Sequence, residues 1–97
     1  VEARVRTEAT RELAAVRGSY QTWQRLQAAA TAQQTATDMQ EKAWKLGEAS
    51  IADLLQARRT ADELHLAERL ARIDALAALH RWRLDTHELW DFDNDEH

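Results

Sequence analysis

The sequence predicts an all-α fold: a long antiparallel two-helix coiled-coil hairpin, self-associating into a helical bundle. Three observations predict it. The 97 residues contain no proline, so nothing in them forces a helix to break. Apolar residues recur at alternating spacings of three and four, the heptad signature. The middle of the chain carries one signal for a helix to stop and another to start. That signal is Trp44-Lys45-Leu46-Gly47-Glu48-Ala49-Ser50-Ile51-Ala52-Asp53-Leu54-Leu55.

The expected limits follow from it. A helical hairpin fills residues 1–88, with helix 1 over about 1–46, a tip at 47–49 and helix 2 over about 50–88. An acidic tail fills 89–97. Lys42 and Lys45 put positive charge where a helix ends, complementing the macrodipole. Gly47 suits the left-handed conformation that closes a helix. Ser50 reads as an N-cap accepting from the N–H near Asp53, with the Asp53 carboxylate reaching back to the Ser50 N–H.

In helix 1, Ala9, Leu13, Val16, Tyr20 and Trp23 form a heptad seam. Gly18 interrupts it at a cost of roughly 1 kcal/mol against alanine, which a close neighbour would offset. Folding the chain at residue 48 brings Gly18 toward Ala78. The seam then shifts around the helix to Ala36, Met39, Ala43 and Leu46. Between the two parts lies the uncharged polar run Thr31-Ala32-Gln33-Gln34-Thr35. Two readings of the shift stand: a stutter in a coiled coil, or a polar side turned toward a water-filled lumen.

Helix 2 carries two apolar faces. Ala57, Ala61, Leu64, Ala71, Ala75, Ala78 and Trp82 share a narrow stripe, with Glu68 as its exception. Leu55, Leu66, Leu70, Ile73, Ala77 and Leu84 fall roughly opposite. A surface helix with one partner has one apolar face, so two faces call for neighbours on both sides. After Trp90 the periodicity is lost, and the acidic end reads as a frayed or extended tail.

Composition narrows the function classes. A net charge of −4 and a pI near 5.5 speak against a general nucleic-acid binder, which shows a basic stripe. No run of about 20 apolar residues occurs, so this segment is not expected to span a bilayer. With no cysteine, disulfides and thiolate metal sites are excluded. The chain begins in mid-helix at Val1-Glu2-Ala3-Arg4, in the manner of a fragment of something longer. Much of its apolar content is alanine, which buries little area, so partner helices are expected.

No enzyme and no cofactor are expected. There is no glycine-rich phosphate loop and no serine with His and Asp at a recognised spacing; Ser50 serves as a cap. His80 and His87 share a helical face two turns apart, too distant to chelate one ion. Asp91, Asp93, Asp95 and His97 lack the glycine and closing glutamate of a calcium loop. Trp23 and Trp82 sit on packing stripes. Trp44, beside the tip, is a contact or gate candidate.

The run from Trp44 to Thr60 resembles the tip signature of the TolC-like outer-membrane efflux proteins: an aromatic three before a glycine, Ser or Thr three after it, an aliphatic residue, then Asp-Leu-Leu-x-Ala. The resemblance covers roughly residues 9 to 85. It implies a trimer with an outer-membrane β-barrel continued by a periplasmic α-helical barrel. Each protomer would carry two such hairpins, this one being the C-terminal repeat. The tips would control the periplasmic entrance and dock a periplasmic adaptor protein, which links the duct to an inner-membrane pump.

Position by position, the resemblance puts Leu46, Gly47 and Glu48 in the adaptor-docking tip. It puts Trp44 where the family usually has a gating tyrosine, and Asp53 at an acidic position near the constriction. Ala49 and Gln56 stand where a well-known member has a gating arginine and a second aspartate. Packing of Trp44 would then replace an ionic lock. Two other functions compete: a self-associating coiled-coil interaction module without a transport role, and a metal-buffering segment built on His80, His87 and the acidic tail. For the isolated hairpin a dimeric four-helix bundle is expected.

Overall fold

A computed structural model describes the backbone of residues 2–95 and the side chains of residues 3–87. Two helices account for the fold: α1, Glu2–Lys45, and α2, Ile51–Asp95. They run antiparallel and pack along their length as a rod of 74 × 18 × 14 Å. With neither proline nor a second tip-like glycine in α2, no residue there stops the helix. It passes the expected end near 88 and continues to Asp95, so the frayed tail expected after Trp90 is corrected as far as that residue. Glu96 and His97 lie outside the described residues. So do the side chains of Asp91, Asp93 and Asp95.

The contact between the helices is one unbroken heptad seam on each. On α2 it runs through Leu54, Ala57, Ala61, Leu64, Glu68, Ala71, Ala75, Ala78 and Trp82, all buried or half-buried. A strict seven-residue period on both helices is the pattern of a left-handed supercoil. The exception on this stripe has a physical reason: Trp23 Nε1 donates to Glu68 Oε1 at 2.7 Å. The carboxylate satisfies an indole donor inside the contact. Tyr20 meets Trp23 edge-on, with ring centroids 5.7 Å apart and planes at 69°.

On α1 the seam departs from the sequence expectation. It does not shift around the helix. It runs straight through Val16, Ser19, Trp23, Leu26, Ala30, Gln33, Thr37 and Gln40. Tyr20, Ala36, Met39 and Leu46 stand exposed. What changes along the seam is its chemistry rather than its direction.

Thr37 is buried, and its one hydroxyl proton is shared between the Gln33 carbonyl at 2.8 Å and the Ala57 carbonyl at 3.2 Å. Gln33 Nε2 donates to the same Ala57 carbonyl at 3.4 Å. His65 Nε2 lies 3.1 Å from Gln34 Oε1. Within the polar run, Gln33 and Gln34 thus bond across the hairpin, while Thr31, Ala32 and Thr35 stay exposed; the seam passes through without a stutter. Every buried side-chain polar atom among the described residues has a partner, as burial demands.

Gly18 does not closely approach Ala78. It borders an open groove with Ser19, Thr22, Ala71 and Asp74, and a Cβ built on it meets nothing within 4 Å. Its helical cost is therefore uncompensated. Gly18→Ala is expected to raise stability by about 1 kcal/mol, read as a higher midpoint in thermal or urea melts. A destabilised variant would reveal a neighbour in that groove.

Near the open end, Glu12 and Asp85 share a hydrogen bond between their carboxyl groups. That bond, with burial and the Asp85 charge behind it, raises the Glu12 pKa above the ordinary 4.5, while Arg81 opposes the shift. The folded chain then holds this proton more tightly than the unfolded chain. Its contribution to stability is full below pH 4.5 and is lost as pH rises through the raised value. Against Glu12→Gln, the native chain should lose relative stability over that window. Parallel stability–pH curves would refute the shared proton.

Candidate functional site

The tip is built by two caps. Glu48 N–H donates to the Ala43 carbonyl at 2.8 Å, and Gly47 N–H donates to the Trp44 carbonyl at 3.0 Å. These are the paired bonds of a Schellman motif, with the left-handed residue at Gly47, where φ is +78°. On the other side, Ser50 Oγ accepts from the Asp53 N–H at 3.1 Å, the expected N-cap. The return bond from the Asp53 carboxylate does not form. Asp53 stays exposed in the first turn of α2, where a negative charge suits the macrodipole.

Below the caps the two helices are pinned. Leu54 is the largest fully buried side chain, at 0 % exposure. Arg58 Nη2 bonds Glu41 Oε1 across the hairpin at 3.2 Å. Lys45 Nζ reaches the same oxygen at 3.8 Å. Lys45 therefore has a pairing role besides its helix-end position.

The predicted site residues divide by exposure. Trp44, Leu46, Gly47 and Glu48 face solvent at the tip, and Leu46 is the most open of the large apolar residues among those described, at 73 %. Ala49 is half-buried in the turn. Asp53 and Gln56 are exposed about one turn apart on α2. No hydrogen bond or ion pair among the described residues joins the Trp44, Asp53 and Gln56 side chains, so the gate candidates form no network within one hairpin.

Two residues absent from the predicted site share the tip's exposed apolar surface. Ile51 and Leu55 are exposed on the first two turns of α2. With Trp44 and Leu46 they give the tip four large apolar side chains open to water. Their i, i+4 spacing was the available signal. In the Asp-Leu-Leu-x-Ala run, Leu54 and Ala57 point inward, and of the apolar residues the second leucine points out.

The remaining chemistry is sparse. Among the described residues no group of three or more His, Asp or Glu could hold a metal ion. No described helix is long and apolar enough to cross a membrane. No family model, curated protein or solved structure matches the chain.

Proposed function

We propose that this hairpin is a periplasmic α-barrel segment of a TolC-like outer-membrane efflux channel. In that role it supplies part of the duct wall and the tip that docks a periplasmic adaptor protein in a tripartite export system. The observation that carries the reading is the tip. Trp44, Leu46, Ile51 and Leu55 are exposed on a turn whose caps and packing do not require them to be apolar. Large apolar side chains held open on a rigid support are the usual form of a protein-docking site. They coincide with the motif that resembles the efflux family.

The second apolar face of α2 supports a wall segment, since a helix within a wall touches neighbours left and right. In the full-length protein the hairpin would belong to a trimer, with the inner-membrane pump reached through the adaptor. With Ala49 and Gln56 where a well-known family member carries an arginine and an aspartate, closure of such a duct would rest on packing at Trp44.

The test is export by the full-length protein. Leu46→Ser and Ile51→Ser should abolish resistance to the exported drug or metal, with the protein still present and the isolated hairpin still helical. Gly47→Trp should do the same. Unchanged resistance in Leu46→Ser and Ile51→Ser would contradict the docking role. The alternative reading, a coiled-coil interaction module with no transport role, accounts equally well for the exposed second face of α2.

A further inference from the structure

On the side of α2 away from α1, Leu66, Leu70, Ile73, Ala77, His80 and Leu84 follow one another at spacings of four and three. All are exposed. This is a second heptad seam, about 27 Å long, on a helix whose first seam is already filled. Its large aliphatic residues remain 52 to 59 % open. The outer face of α1 has nothing to match it: Arg4, Arg11, Gly18 and Arg25 run down one exposed row, with Ala14 and Gln21 beside them.

We propose that this seam docks a second copy of the chain, α2 against α2, antiparallel about a twofold axis between Ala71 and Arg72. Self-complementarity selects that occupant and that register. Leu70 then meets Ile73 of the second copy, and Leu66 meets its Ala77. Glu63 faces His80 of the second copy, and Asp62 flanks its Arg83, each contact occurring twice. A parallel pairing in register would instead set Glu63 on Glu63 and Arg59 on Arg59. Sliding the antiparallel pair by one heptad sets Arg69 against Arg83 in one direction and against another Arg69 in the other. An isologous contact repeats every favourable pair by symmetry, and like charges across the seam reject the competing registers.

In a duct wall this face would go to another hairpin; the chain by itself has only a second copy to offer. The inference does not use the tip, so failure of the tip variants leaves it standing, and the reverse also holds.

Sedimentation of the 97-residue chain should show a dimer at high micromolar concentration, and Leu70→Glu should give a helical monomer. The chain has no cysteine, so single cysteines report the register. Leu66→Cys mixed with Ala77→Cys should form the mixed disulfide on oxidation, while neither variant links to itself. Arg83→Asp should weaken the dimer about tenfold, and adding Asp62→Arg should restore it. A monomeric native chain, a Leu66→Cys self-disulfide, or no rescue by the charge swap would overturn the proposal.

Discussion

Leu54→Ala is expected to destabilise the hairpin by about 3 kcal/mol. No other large side chain in the described part is fully enclosed. It sits in the first turn of α2, just under the caps, where the helices must be held before the turn can close. Truncation removes the transfer energy of the lost atoms and leaves a cavity. A long two-helix rod has no second core layer to collapse into it. Urea denaturation of native and variant chains measures the loss. A change below about 1 kcal/mol would mean that the tip is held by its caps and the Glu41–Arg58 pair, and not by packing.

Trp23→Ala ranks second, at about 2 to 3 kcal/mol. The indole is half-buried in the seam and packs edge-on against Tyr20. It also provides the hydrogen bond that Glu68 accepts. Removing it costs packing and leaves a carboxylate in the helix contact without its donor. Trp23→Phe separates the two terms, because the ring stays and the donor goes. That variant should lose about 1 kcal/mol. If Glu68→Leu proves as stable as the native chain or more so, the polar pair serves alignment of the helices more than stability. Equal losses for Phe and Ala at position 23 would contradict the packing term.

The hairpin was legible because its punctuation is local chemistry. Gly47, Ser50 and Asp53 act within one turn of chain, so their residue types alone announce a stop and a start. The inner stripe of α2 was legible through its alanines, and even Glu68 stood out as a departure. On α1 the sequence misled: Met39 and Leu46 look like seam residues, yet Gln33, Thr37 and Gln40 fill the contact. The places of Gln33 and Thr37 depend on the Ala57 carbonyl, 24 and 20 residues away in the chain, and no local pattern records such a bond. Tyr20 yielded its expected inner place to Ser19. The outward Leu55 was legible, since the helical period already set it opposite the inner stripe; the missing return bond of Asp53 and the outward Ile51 were not.

The tip began as a turn between helices. Its caps now explain Gly47 and Ser50, and packing explains Leu54 and Ala57. Trp44, Leu46, Ile51 and Leu55 remain as residues that the fold does not need at those positions. The most direct test of the docking claim is photo-crosslinking in cells from the full-length protein. A photoreactive residue at Leu46 should capture a second, periplasmic protein, and one at Gln21, on the outer face of α1 far from the tip, should not. Equal capture from both positions, or capture from Gln21 alone, would contradict the account.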